Sequence, residues 1–292
     1  MKIRIGAGSG PGIGPGEFAG AVDSLEAHGI DSLWLPEVVY SSQIDPMIGI
    51  AHALARTTRL KVGSGVAILP GRQPVLVAKQ LASLAGLAPG RVLPVFGLHS
   101  ARPQERALFP VPSGQRAAVF DESLALVRQL LEQPEVTFHG QFFQVEGASL
   151  GTLPAKPLDL WLGGSAPAAL QRVGRLADGW LASFVTPGEA RRGRIAIEHA
   201  ADEAGREVEP DHFGVSLAVC DGDLPADLVA AARARRPDAD PTELIPTGWA
   251  QARQLVERYI DAGMTKFVIR PAGTPFPTFL DRLLTELVPL QN

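Results

Sequence analysis

The sequence predicts a single α/β domain, a closed (β/α)8 barrel of the TIM type, and three observations carry that prediction. Short apolar runs alternate with amphipathic stretches along nearly the whole chain, with Gly, Pro or Asp between them. The alternation yields about eight strand–helix pairs, which calls for a parallel sheet with right-handed crossovers. The length, 292 residues, is large for an ordinary domain but usual for one such barrel. An open doubly wound sheet is the alternative.

Ile3-Arg4-Ile5-Gly6-Ala7 is the first strand, and 17–28 the first helix, with Gly29 at its C′ position. Residues 32–35 form the second strand, stopped by Pro36. Asp45 then caps a helix that has Pro46 at N1 and runs to about residue 56. Strands follow at 60–68 and 91–96, with helices at 74–84 and 115–131. The fifth pair is strand 158–162 and helix 166–176, with Ser165 as N-cap. The last three pairs are 179–183 with 187–205, 212–219 with 247–262, and 266–270 with 276–288. Two segments interrupt the rhythm of the single 1–292 domain. Residues 136–145 read as an inserted hairpin turning at His139-Gly140. Residues 221–246, rich in Ala, Arg, Asp and Pro, read as an irregular insertion near the barrel mouth.

Composition removes several function classes. The chain holds 27 Lys and Arg against 31 Asp and Glu, a net charge of −4, which argues against nucleic-acid binding. One cysteine, Cys220, excludes an internal disulfide framework and a Cys-rich zinc site. No apolar run approaches the roughly 18 residues needed to span a bilayer. The start, Met1-Lys2-Ile3-Arg4-Ile5, lacks the apolar core of a signal peptide. The expectation is a soluble, cytoplasmic protein with no membrane partner.

The motifs narrow the chemistry further. The glycine-rich stretch from Gly6 to Gly16 fails the dinucleotide fingerprint, because the i+5 position is Pro11, Ile13, Pro15 or Glu17 in every register. Lys61 and Lys266 lie near strand starts and Lys79 inside a helix, so Schiff-base chemistry is not expected. His28, His52, His99, His139, His199 and His212 form no HxH or HExxH pair, and no metal is expected. Only His99 follows a strand at its C-terminal end. Asp221-Gly222-Asp223 reads as a turn rather than a calcium loop. Gly163-Gly164-Ser165 ends a strand just before a helix, an arrangement that suits a phosphate or a plain β-α turn. Glycines at 63 and 65, around Ser64 and before Val66, indicate a bulge, close ligand approach or packing room.

Taken in order, several segments resemble the luciferase-like monooxygenase superfamily, and within it the actinobacterial branch that uses coenzyme F420, a deazaflavin. They are His28-Gly29-Ile30-Asp31-Ser32-Leu33-Trp34-Leu35-Pro36-Glu37, Leu60-Lys61-Val62-Gly63-Ser64-Gly65-Val66, Pro74-Val75-Leu76-Val77-Ala78-Lys79-Gln80 and Pro89-Gly90-Arg91-Val92. The hairpin Phe138-His139-Gly140-Gln141-Phe142-Phe143, then Trp161-Leu162-Gly163-Gly164-Ser165 and Ala177-Asp178-Gly179-Trp180, complete the set. The resemblance implies a barrel with a flavin or deazaflavin at the strand ends and a non-prolyl cis peptide at Gly65–Val66. It implies that Ser64, Gly65 and Val66 back the ring, with Gly97 close by, and that Gly163, Gly164 and Ser165 take the phosphate.

The chain departs from that pattern in two places. Glu37-Val38 stands where many members have Asp-His. Phe96-Gly97-Leu98-His99-Ser100 keeps one glycine of a Gly-x-Gly, lacks the acid that often follows, and carries a histidine. Glu37 and His99 are therefore the candidate acid/base residues by position. Arg72, Arg102 and Arg106 lie in loops that could meet the cofactor's polyglutamate tail, and Tyr40, Phe109, Phe142 and Phe184 suggest an apolar mouth. The implied function is an F420-dependent oxidoreductase, a homodimer, acting by hydride transfer on a small organic substrate. An FMN-dependent monooxygenase and a non-catalytic flavin-binding barrel are the alternatives.

Overall fold

The computed structural model describes residues 2–10, 12–100 and 102–292. Its first half runs β1 (Arg4–Gly8), α1 (Pro15–Ala27), β2 (Ser32–Leu35), α2 (Pro46–Arg56), β3 (Lys61–Ser64), β4 (Ala67–Ile68), α3 (Pro74–Leu87), β5 (Val92–Leu93), β6 (Val95–Gly97) and α4 (Arg116–Glu132). The second half runs β7 (Val136–His139), β8 (Gln144–Ala148), β9 (Trp161–Gly163), α5 (Pro167–Leu176), β10 (Gly179–Ser183), α6 (Pro187–Glu203), β11 (Phe213–Cys220), α7 (Ala226–Arg235), α8 (Pro241–Leu244), α9 (Trp249–Asp261), β12 (Lys266–Ala272) and α10 (Phe276–Glu286).

The sheet order is β4-β6-β9-β10-β11-β12-β1-β2-β3-β5, and it closes on itself. β3 and β4 are two pieces of one strand on either side of Gly65–Val66. β5 and β6 are likewise separated by Pro94, which has no N–H to give to a ladder. β3 pairs in parallel with β5, and β4 with β6, so the two ends of the order are neighbours. The result is the expected eight-stave parallel barrel, with the third and fourth staves each interrupted.

Two indoles fill the interior. Trp34, Val95, Trp161, Leu181 and Val268 form the inner cluster, and glycines on adjoining strands make room for them. A Cβ on Gly179 would lie 2.3 Å from the Trp161 ring, and one on Gly6 2.9 Å from Trp34 Nε1. Phe267 and Ile269 of β12 alternate with Val268 and join the larger core between barrel and helices.

Local signals place the helices, with instructive exceptions. Asp45 caps α2 by accepting from Met47 N at 2.9 Å and Ile48 N at 3.1 Å, and Gly29 takes a left-handed φ of +68° just past α1. The N-cap of α5, however, is Ala166 and not Ser165, which makes no capping bond. Pro167 is suited to N1, and it sets the helix start one residue later than expected. The hairpin turns over residues 140–143 rather than at His139-Gly140. The reason is Glu122, whose carboxylate accepts from the amides of Gln141, Phe142 and Phe143 at 2.7–2.8 Å. Segment 221–246 is not irregular: it contains α7, rich in alanine, and α8, capped by Asp240. Leu244, Ile245 and Ala232 pack there with Ala218 of β11 in a small separate core.

One carboxylate ties the α1 end to the entry of β3. Glu26 accepts from the amides of Thr58 at 2.9 Å, Arg59 at 3.1 Å and Leu60 at 2.8 Å. Burial pushes its pKa up, but these hydrogen bonds outweigh it and hold the group at about 2. Its stabilising effect is therefore complete above the ordinary glutamate range and is lost as pH falls toward about 2. The Glu26→Gln variant should be less stable by about 1–2 kcal/mol at pH 7. That gap should narrow steadily below pH of about 4.5, as measured by urea denaturation of both proteins across the pH range.

Candidate active site

The C-terminal ends of the strands carry the residues singled out by sequence. The bond Gly65–Val66 is cis, and three backbone hydrogen bonds fix its surroundings to the second and fourth staves. Gly65 N donates to Leu35 O at 2.8 Å, Glu37 N donates to Val66 O at 3.3 Å, and Leu69 N reaches Gly97 O at 3.4 Å. Ser64 is buried, and its hydroxyl both donates to Val95 O and accepts from Val95 N, each at 2.9 Å. The hydroxyl thus stands in for ladder bonds that the interrupted strands cannot make.

Val66 is wedged between two glycines. A Cβ on Gly97 would lie 2.6 Å from Val66 Cγ2, and one on Gly163 3.0 Å from Val66 Cγ1. The third, fourth and fifth staves can converge on this isopropyl group only because two of them lack side chains there. Gly163 leads directly into Gly164, whose φ of +106° suits glycine, and whose carbonyl accepts from Trp180 Nε1 at 2.7 Å. Ser165 follows, exposed, at the start of α5. In the first turn of α5 Pro167 has no N–H and Ala169 N donates to Ala166 O at 2.8 Å, which leaves the Ala168 amide, and no side-chain cap occupies it. A cavity of about 200 Å³ adjoins this turn, lined by Ser165, Leu170, Trp180, Val185, Glu189 and Arg236 among others. The apolar shelf at Val66 and the uncapped turn after β9 together fit a flat ring carrying an anionic tail.

Glu37 belongs to this region but is already engaged. It is buried; Oε2 accepts from Ile68 N at 2.7 Å, and Oε1 accepts from Arg72 Nη2. Burial raises its pKa, against the opposing pull of the Ile68 amide and the Arg72 charge. With a donor on each oxygen, its carboxylate acts as a clamp that holds the bulge to the second stave. Arg72 is committed as well, donating to Ile68 O at 2.8 Å and lying 5.4 Å from the Phe109 ring centroid.

His99 lies two residues past Gly97, exposed, and no hydrogen bond joins it to Glu37 among the described residues. Burial of its ring, with the charges of Arg116 and Arg106, lowers its pKa. It is neutral at pH 7, able either to accept or to donate a proton. Arg102 is held by Tyr40 O at 2.8 Å. Tyr40 is exposed and Phe109 buried, so these two do not form one apolar mouth.

Three residues escaped the sequence reading. Glu105 is fully buried. It accepts from the Ser100 hydroxyl at 2.8 Å and from Tyr40 N at 2.9 Å, joining the loops after the fourth and second staves. An acid therefore does follow the fourth strand, displaced along the loop. Arg270 and Ser216 face each other across β12 and β11, with Arg270 Nε donating to Ser216 Oγ at 3.0 Å. Arg270 had a signal: a charged residue directly after the apolar run Phe267-Val268-Ile269 of a strand.

The family described as luciferase-like monooxygenase matches residues 1–269. The first curated relatives, uncharacterized mycobacterial proteins 38% identical over 163 residues, share 56% of each chain, so the match spans about half their length. An F420-dependent glucose-6-phosphate dehydrogenase of Kineococcus radiotolerans is 24% identical over 94% of this chain and 93% of its own. Among solved structures, an F420-dependent secondary alcohol dehydrogenase in complex with an F420–acetone adduct superposes with a TM-score of 0.85 at 19% identity over both full chains. The oxygenating constituent of 3,6-diketocamphane monooxygenase from Pseudomonas putida, in complex with FMN, reaches 0.77 at 16% identity over 100% of this chain and 99% of its own.

The wedge can be tested apart from any ligand. Gly97→Ala should cost about 1–3 kcal/mol, because the new methyl collides with Val66. Combining it with Val66→Ala should restore part of that loss, giving a double variant more stable than the two single costs add up to. Chemical denaturation of the four proteins measures the coupling directly.

Proposed function

The chain belongs to the luciferase-like monooxygenase family, and from that premise we propose that it is an oxidoreductase using coenzyme F420 on a small organic substrate. The observation that carries the proposal is the Val66 shelf, cleared by Gly97 and Gly163 and continuous with the uncapped turn at Gly164 and Ser165. The bound deazaflavin would supply a hydride acceptor or donor. The shelf of Ser64, Gly65 and Val66 would support one face of its ring. The amides of Gly164 and Ser165 at the α5 N-terminus would hold its phosphate. Glu37, with both oxygens engaged, fixes the shelf and moves no proton. His99, neutral at pH 7 and not hydrogen-bonded to Glu37, is left as the group that takes or returns the substrate's proton. The F420-dependent names among the relatives and solved structures support the same cofactor. On this reading the enzyme is a homodimer, as the resemblance implies, and cytoplasmic, as composition and the N-terminal residues lead one to expect. Among the described residues no helix is long and apolar enough to cross a membrane.

Titration of the purified protein with F420 and FMN side by side, followed by cofactor fluorescence, tests the reading. Micromolar or tighter binding of F420, with FMN much weaker, is the expected result. Preference for FMN would transfer the protein to oxygen chemistry, and binding of neither would overturn both. His99→Gln should leave F420 affinity unchanged and reduce turnover by about 100-fold. In the substrate-oxidising direction the wild-type rate should rise with pH, through a midpoint below the ordinary histidine value, as the imidazole loses its proton. The variant should lack that limb.

A further inference from the structure

Arg270 stands on the inward side of β12, in the two-residue alternation it shares with Lys266 and Val268. Val268 belongs to the inner cluster, and Arg270 lies one layer nearer the mouth. The strands beside it accommodate it. A Cβ on Gly8 would lie 2.3 Å from Arg270 Cγ, so the end of β1 is bare where the arginine stem crosses it. On the other side, Ser216 accepts from Nε at 3.0 Å and sets the plane of the guanidinium.

The rest of that guanidinium has no protein partner. Among the described residues neither Nη group donates a hydrogen bond, and no carboxylate comes within ion-pairing distance of it. Three other arginines drawn in from solvent are paired with carboxylates: Arg72 with Glu37, Arg172 with Asp121, and Arg236 with Glu189 at 2.8 Å. Burial, with the nearby charge of Arg235, lowers the Arg270 pKa to about 10, so it remains a cation at neutral pH. Arg270 is half-buried; a partly desolvated cation without a counter-ion is unfavourable, and an anion arriving from solvent offsets the penalty. The paired Nη donors form a fork that matches a carboxylate or phosphate.

We infer that Arg270 receives an anionic group, a carboxylate or a phosphate, on the substrate. The assignment to the substrate rests on the proposed function. If the cofactor's ring lies on Val66 of the third stave and its phosphate after the fifth, the eighth stave remains for the substrate. Ser216 is then a positioning residue, and uncharged analogues of the substrate should be poor.

The test uses inorganic phosphate and acetate as probes, titrated calorimetrically at constant ionic strength into the protein with and without F420. The wild type, Arg270→Gln and Arg270→Lys are compared. The expected result is saturable binding of at least one probe to the wild type. Arg270→Gln should weaken it tenfold or more and Arg270→Lys less, with F420 affinity the same in all three. The lysine variant separates a lost anion contact from a damaged fold. Absence of saturable binding to the wild type, or equal binding by Arg270→Gln, would overturn the inference. A loss of F420 affinity in Arg270→Gln as large as the loss of probe would give the anion to the cofactor and also overturn it. Arg270-dependent probe binding in a protein that ignores F420 would support the anion site and refute the cofactor reading instead.

Discussion

The mouth of this barrel is organised around the space available to one side chain. Val66 occupies the gap that Gly97 and Gly163 leave open, at 2.6 and 3.0 Å from where their Cβ atoms would be. Three staves meet there, and the third can bulge inward only because the fourth and fifth carry nothing at that level. The interruption costs ladder hydrogen bonds, which are recovered nearby. Ser64 bonds twice to Val95, and Glu37 bonds through both its amide and its carboxylate to the far side of the bulge. The shelf is thus a packed and hydrogen-bonded feature in its own right, present before any ligand arrives.

A second theme is the use of carboxylates to hold backbone. Glu37 captures Ile68 N, Glu105 captures Tyr40 N, Glu122 captures three amides of the hairpin turn, and Glu26 captures three at the entry to β3. Each joins segments distant in sequence, and two of them fix loops at the mouth. Loops of a barrel normally carry its function and its mobility together. Here buried acids restrain the loops after the second and fourth staves, so a site built on them is held in place. The contrast with Arg270 is informative. The acids are satisfied by protein, whereas this cation faces the mouth with two donor groups unspent.

The alternation that reveals the barrel is legible in sequence because strand and helix periods differ and because Pro and Gly mark the joints. Asp45-Pro46 and Gly29 act where their local chemistry says they should. Local chemistry was insufficient where a distant partner decided the outcome. The hairpin turn is set in this way by Glu122 from the preceding helix. The α5 start is instead a choice between two local signals, taken by Pro167 and not by the serine two residues before it. In the site, the glycines and Val66 could be recognised from their pattern, and the structure brings them together. Glu37 could be located, but its engagement with Arg72 and Ile68 depends on a contact across more than thirty positions that no local reading contains. Glu105 and Arg270 owe their importance to burial and to what does or does not face them, which are properties of the fold.

The most direct measurement is a crystal structure of the protein grown with oxidised F420. The deazaflavin ring is expected in van der Waals contact with Val66, its phosphate on the amides of Gly164 and Ser165, with open space between the ring and Arg270. A ring seated elsewhere would contradict that expectation. So would a ring at the mouth whose phosphate is held by Arg270 and not by the turn before α5.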